Sequence, residues 1–95
     1  MKSRFGRKGI DMPYKAALEK WGYDAQLDMV IEECSELILA IQRYRRKRCE
    51  AIDIQEEIAD VEIMLSQMRV LFGDKNIDEF KANKIMRLKE RIARS

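Results

Sequence analysis

Two stretches of the chain place apolar residues at steps of three and four, and this spacing restricts both to amphipathic helices. In the first stretch the apolar positions are Leu27, Val30, Ile31, Cys34, Leu37, Ile38 and Ile41; in the second they are Ile54, Ile58, Val61, Leu65, Met68 and Phe72. Such spacing keeps one face of a helix apolar over about four turns. The sequence therefore predicts two long helices with one apolar face each.

Two shorter helices are expected at the ends of the chain. The first covers residues 11–21, with Pro13 tolerated in its first turn and Gly22 after its end. The last begins near Asp78 and carries Phe80, Ile85, Leu88 and Ile92 on one side. With four glycines and one proline among 95 residues, the composition is typical of packed helices and not of a turn-rich β protein. We expect an all-α fold.

The boundaries of the two long helices also have sequence signals. Asp24 is expected to cap the first, and Asp53 with Glu56 resembles a capping box at the start of the second. Gly73 is expected to end the second helix.

The length of the chain allows one domain, which we assign to residues 11–95 after a basic, mobile tail at residues 1–10. A net charge of +2 does not point to nucleic acid or to an anionic membrane. The basic run of residues 43–48 suits a helix C-terminus, although its density leaves attraction to phosphate or RNA open. No apolar run approaches the about eighteen residues of a membrane span. We expect a cytoplasmic protein with no membrane partner and with Cys34 and Cys49 reduced.

Acidic residues recur on the two long helices at a spacing that favours metal binding. Glu33 and Glu36 are three residues apart, and so are Glu57 and Asp60. At about 100° per residue, each pair points to one side of its helix, so the two pairs can face each other across antiparallel helices. Mg²⁺ or Mn²⁺ suits such an all-oxygen site. Solvation, or pairing with Lys and Arg, is the alternative.

Glu57 carries this argument furthest, because it projects at the edge of the apolar stripe of its helix. An unpaired carboxylate that leaves water is strongly disfavoured, so a glutamate there needs a cation, a hydrogen-bond network or a proton. The chain contains no histidine, which argues against typical zinc enzymes and against the Glu-x-x-His di-iron bundle.

The two motifs resemble those of a known family. Residues 21–37 read W-G-x-x-x-Q-L-x-M-x-I-E-E-C-S-E-L, and residues 56–65 read E-E-I-A-D-V-E-I-M-L. The order E-E-x-x-E then E-x-x-D resembles the MazG-like, all-α nucleotide pyrophosphohydrolase family over residues 21–91. The resemblance implies a four-helix-type bundle with antiparallel core helices, completed by assembly into a homodimer or homotetramer. It also implies hydrolysis of a nucleoside triphosphate between the α and β phosphates, giving a monophosphate and pyrophosphate.

The same resemblance implies roles for individual residues. The expected Mg²⁺ ligands are Glu33, Glu36, Glu57 and Asp60, with Mn²⁺ as a substitute. Glu32 lies beside these ligands in the sequence, and this position makes it a candidate water-orienting base, against the alternative of an exposed helical glutamate. Asn83, Lys84 and Arg87 are candidates for contacting the phosphates, against the alternative of a solvated helix face. The chemistry of their own side chains makes Trp21 a candidate for stacking on the base and Gln26 a candidate for hydrogen bonding to it, against the alternative that Trp21 anchors the first helix. A catalytically weak module that senses nucleotide or binds a protein is the competing function.

Overall fold

The computed structural model describes residues 8–95, and this range folds into four helices. They are α1 (Lys8–Trp21), α2 (Tyr23–Arg45), α3 (Ala51–Phe72) and α4 (Lys75–Arg94). Residues 8–95 contain no strand, so the all-α prediction is confirmed. Of the segment expected to be a tail, residues 8–10 belong to α1, and residues 1–7 lie outside the described part of the chain.

The helices α2 and α3 form an antiparallel pair, and α1 packs against both. Near its start, α2 shares a cavity with Met64 and Gln67 from the second half of α3. Near its end, α2 shares another cavity with Asp53 and Glu56 from the start of α3. No comparable packing joins α4 to the other described helices.

The core of the described chain is small. Its buried apolar residues are Leu18, Ala40, Val61 and Met64, joined by two buried glutamines, Gln26 and Gln67. Much of the apolar face expected to form a core is instead exposed, from 41% for Ile58 to 68% for Phe72. The radius of gyration is 16.6 Å, whereas a compact domain of this length has about 12 Å. A single copy therefore leaves the apolar stripes of its helices largely uncovered.

Two glycines separate the helices by adopting a conformation that other residues avoid. Gly22 lies between α1 and α2 with φ 88° and ψ 160°, and Gly73 ends α3 with φ 94°. Both positions were expected to end helices. Because Gly22 takes the cap position of α2, Asp24 lies within the first turn of that helix and is not its cap.

The connection between α2 and α3 is a tight helix stop followed by a new cap. Lys47 has φ 60°, and the backbone N–H of Arg48 donates to the carbonyl of Arg43 at 2.8 Å while that of Lys47 donates to Tyr44 at 2.9 Å. This is a Schellman motif with lysine where glycine is usual. The next helix begins earlier than expected, because Glu50 is the cap residue and Asp53, in the first turn, accepts a hydrogen bond from its backbone N–H at 2.8 Å.

A bridge of charged side chains joins α3 to α4. Arg69 Nη1 donates to Asp74 at 3.0 Å and to Asp78 at 2.8 Å. These bonds span the turn at Gly73 and connect the end of α3 to the start of α4. Among the described residues, none of the helices combines the length and apolar character needed to cross a membrane.

Candidate metal centre

The facing sides of α2 and α3 meet along a line that we call the seam. Its α2 positions are 26, 30, 33, 37 and 40, and its α3 positions are 54, 57, 61, 64 and 67. The steps of three and four are those of helices packed side by side. Most seam residues are apolar, but Glu33 and Glu57 occupy two of the positions, and both are half-buried. Two carboxylates thus stand where a packed pair of helices ordinarily places apolar side chains.

Three carboxylates converge at this part of the seam. One oxygen from each of Glu33, Glu36 and Glu57 lies within 4.8 Å of the other two. Two oxygens bound to one Mg²⁺ are at most about 4.2 Å apart. Neighbouring oxygens of one octahedral Mg²⁺ are closer, about 2.9 Å apart, so side-chain rotations that shorten these oxygen–oxygen distances would bring all three onto one ion. The structure brings together three of the four expected ligands, from two helices.

One oxygen of this group lacks a hydrogen-bond donor in the described part of the chain. Glu57 Oε1 is buried and has no hydrogen-bond partner among the described residues. A buried carboxylate oxygen in that position is strongly disfavoured unless a proton or a cation reaches it. The donor set contains only carboxylate oxygens, which suits a hard cation such as Mg²⁺ or Mn²⁺. The residues present therefore fit the metal that the sequence motifs imply.

The electrostatics of the group agree with this geometry. Burial raises the pKa of Glu33, and the negative charges of Asp60 and Glu36 raise it further. Burial likewise raises the pKa of Glu57, followed by the charges of Glu36 and Asp60. The neighbouring carboxylates therefore make Glu33 and Glu57 harder to ionise, and a divalent cation would relieve that repulsion.

The remaining acidic candidates lie beside the group. Asp60 is exposed one turn along α3 from Glu57, and its charge is the largest electrostatic influence on Glu33 after burial. It is nevertheless not among the three residues whose oxygens converge. Glu32 is exposed on α2 and also lies outside the convergent group.

The expected phosphate contacts lie elsewhere in a single copy. Asn83, Lys84 and Arg87 are all exposed on α4. Lys84 and Arg87 line a cavity of about 440 Å³ whose other walls also come from α4. One chain therefore does not bring these three residues to the carboxylates.

The expected base contacts, in contrast, do come together. Trp21 and Gln26 line a cavity of about 620 Å³ with Met29, Met64 and Gln67 among its walls. Trp21 is 59% exposed, so it does not anchor α1 in the core. Lys20 Nζ lies 5.5 Å from the centre of its ring. An exposed indole beside buried amides suits a flat heterocycle.

Sequence reasoning missed two features of this region. Gln67 is only 5% exposed, and its Oε1 is buried without a hydrogen-bond partner in the described structure. The seam spacing could have revealed it, since a glutamine there replaces an apolar residue. The second feature is a cavity of about 510 Å³ in which Arg43 and Arg48 join Glu36 and Glu57. The sequence signal for this cavity is the connection of only five residues between α2 and α3, because so short a connection keeps the basic run close to the carboxylates.

No protein-family model, curated protein or solved structure matches this chain significantly.

Proposed function

We propose that this protein is a Mg²⁺-dependent nucleoside triphosphate pyrophosphohydrolase of the MazG-like kind. It would convert an NTP or dNTP into the corresponding monophosphate and pyrophosphate. The observation that carries the proposal is the unpartnered, buried Glu57 Oε1 within a convergent group of three carboxylates. A solvated acidic surface has no reason to bury such an oxygen.

The chemistry divides between metal and protein. Mg²⁺ bound here would neutralise the triphosphate, polarise the phosphorus and lower the pKa of a bound water. The task of Glu33, Glu36 and Glu57 is to hold that ion, with Asp60 as the fourth proposed ligand. Water then adds to the α-phosphorus, the bond from that phosphorus to the bridging oxygen breaks, and pyrophosphate leaves. Glu32, on the exposed side of α2, is the candidate acceptor for the proton of that water.

The position of the Trp21 cavity supports a nucleotide substrate. Gln26 precedes Glu33 by seven residues on α2, which corresponds to about 10 Å along a helix. A base held by Trp21 and Gln26 would therefore lie two turns from the metal, at a distance that a ribose and its first phosphates can span. In this arrangement Gln67 supplies a further amide from the opposite side of the seam.

Self-association is part of the proposal. The exposed apolar stripes and the large radius of gyration support a homodimer or homotetramer in which these helices pack against a second copy. Assembly would complete a helical bundle and would offer a route by which Asn83, Lys84 and Arg87 of α4 reach the phosphates.

The exposed apolar surface also favours a second candidate function. A catalytically weak module could use the same faces to bind another protein and the seam to sense a nucleotide. Such a module would bind nucleotide and Mg²⁺ without consuming the nucleotide, so a measurement of turnover separates the two candidates.

The test is incubation with a panel of NTPs and dNTPs in Mg²⁺, with products separated by ion-exchange chromatography. Monophosphate and pyrophosphate in equal amounts are expected from at least one substrate. Glu36→Gln should abolish that turnover, whereas Glu62→Gln, an exposed glutamate of α3 outside the group, should not. Release of orthophosphate alone, or full activity in Glu36→Gln, would refute the proposed reaction or its site.

A further inference from the structure

A cavity lined by two arginines and four carboxylates, which we call the arginine cavity, lies at the end of the seam opposite Trp21. Its volume is about 510 Å³, and its walls include Arg43 and Arg48 together with Glu36 and Glu57 of the metal group. From these residues we infer that Arg43 and Arg48 bind the β and γ phosphates, so that the leaving pyrophosphate occupies this cavity. The inference rests on the proposed function, and it assigns a direction to the substrate along the seam.

The backbone holds the two arginines on the same side of the connection. The N–H of Arg48 donates to the carbonyl of Arg43 at 2.8 Å, and Lys47 between them adopts φ 60° to allow it. A lysine in this left-handed conformation is less stable than a glycine would be. The result is that the chain turns back at once and presents both guanidinium groups to one cavity.

The side chains of Arg43 and Arg48 are not committed to other partners. Within residues 13–95, neither makes an ion pair or a side-chain hydrogen bond, although Glu36, Asp53, Glu56 and Glu57 line the same cavity. Arginines that served only to neutralise these acids would be expected to pair with them. Guanidinium groups with free donors are suited to bidentate contacts with phosphate oxygens.

The order of the sites along α2 indicates how the substrate is oriented along the seam. Gln26 lies seven residues before Glu33, and Arg43 lies seven residues after Glu36. Each interval is about 10 Å of helix, so the metal group lies midway between the Trp21 cavity and the arginine cavity. A nucleoside triphosphate has the same order, with its base at one end, its scissile bond in the middle and its terminal phosphates at the other end.

The charge of the cavity explains why phosphate should enter only with metal. Four carboxylates and two arginines line it, so without a cation the walls carry excess negative charge and repel an anion. Mg²⁺ bound to the three-carboxylate group would offset two of these negative charges and so reduce the repulsion of an anion that contacts Arg43 and Arg48. Binding of pyrophosphate should therefore depend on Mg²⁺ and on both arginines.

The chain offers a matched control within the same basic run. Arg45 and Arg46 are exposed neighbours of the pair, but they line a separate cavity with Gln42. Changing Arg45 and Arg46 to glutamine removes the same formal charge from the same segment. Any effect of net charge alone would appear equally in both double variants.

The experiment is calorimetric titration of the full chain with pyrophosphate in the presence and absence of Mg²⁺. The wild type should bind pyrophosphate only with Mg²⁺. In Arg43→Gln/Arg48→Gln the dissociation constant should rise about tenfold or more, whereas in Arg45→Gln/Arg46→Gln it should stay within about twofold. Far-UV circular dichroism checks the fold of both variants, and Arg43→Lys/Arg48→Lys, which retains the charges, should recover part of the affinity.

The outcomes separate this inference from the proposed function. Mg²⁺-dependent, Arg43- and Arg48-dependent binding of pyrophosphate without any triphosphate hydrolysis would support the inference and refute the enzyme. Hydrolysis that responds equally to both double variants would support the enzyme and overturn the inference. Absence of pyrophosphate binding by the wild type in Mg²⁺ would also overturn it.

Discussion

A carboxylate oxygen of Glu33 on α2 lies within 4.8 Å of a carboxylate oxygen of Glu57 on α3, at seam positions that would otherwise hold apolar side chains. Like charges this close, on half-buried groups, oppose the packing of the two helices. The arrangement therefore stabilises the protein only when a proton or a cation is present. This relationship makes pH and metal ions the natural probes of the site.

The stability of the metal-free protein should fall as the pH rises. The pKa values of Glu33 and Glu57 are raised above the ordinary 4.5 in the folded chain, so the folded state holds these protons more tightly than the unfolded state. Their contribution is fully present below pH 4.5 and is lost as the pH rises through the folded pKa values. Thermal unfolding in chelator across this range should show the loss.

Two comparisons complete that test. Saturating Mg²⁺ should raise the melting temperature most where both groups are ionised, since it binds their charged forms. The variant Glu57→Gln should weaken the dependence on pH, and it should also lose the response to Mg²⁺. A melting temperature that responds to Mg²⁺ equally in Glu57→Gln and the wild type would contradict the assignment.

The sequence predicted the helices of this protein better than it predicted how they pack. Gly22 and Gly73 predicted where helices end, because a positive φ with an extended ψ is a backbone conformation that almost only glycine adopts. The cap of α3 was predicted three residues too late, because Asp53 does not cap the helix but accepts a hydrogen bond from the backbone N–H of the cap residue, Glu50. The exposure of Ile58 and Phe72 was not predictable, because periodicity reveals an apolar face but not what covers it.

The candidate site was likewise predicted only in part. Spacing alone aligned Glu33 with Glu36 and Glu57 with Asp60, and the structure brings three of the four together. The contribution of Arg43 depends on the return of the chain at Lys47, where a non-glycine residue takes a positive φ. No propensity predicts that conformation for lysine, so the sequence indicates the arginine cavity only through the short connection between α2 and α3.

Gly22→Ala should destabilise the protein by about 1–3 kcal/mol. Nothing lies within 4 Å of the position that a Cβ would take, so crowding is not the reason. The reason is the backbone, because φ 88° with ψ 160° is accessible to glycine and very unfavourable for an L-residue. Urea unfolding measures the change. Chemical synthesis with D-alanine at this position provides the control, and it should restore most of the loss.

Lys47→Gly should have the opposite effect and stabilise the protein by about 0.5–1 kcal/mol, since relief of the left-handed strain exceeds the added freedom of the unfolded chain. Lys47→Ala removes the same charge but keeps the strain, so it should give no comparable gain. Equal unfolding free energies for the two variants would show that the charge of Lys47, and not its φ of 60°, governs this position.

Gln67→Leu should separate stability from nucleotide binding. Because Gln67 Oε1 is buried without a partner, an apolar side chain of similar size should leave the unfolding free energy unchanged or raise it by up to about 1 kcal/mol. The KM for the preferred nucleotide should rise, and discrimination between bases should weaken. Gln55→Leu, an exposed glutamine on α3, is the control. A destabilised Gln67→Leu with unaltered base preference would indicate a structural role only.

The most direct test of the metal centre is titration of the isotope-labelled protein with Mn²⁺, observed by the paramagnetic broadening of its backbone amide signals. We predict that substoichiometric Mn²⁺ broadens the signals around Glu33, Glu36 and Glu57 first, that excess Mg²⁺ reverses the effect, and that Glu57→Gln weakens it. Uniform broadening across the acidic surface, or broadening centred on Asp78 and Glu79 of α4, would contradict the account.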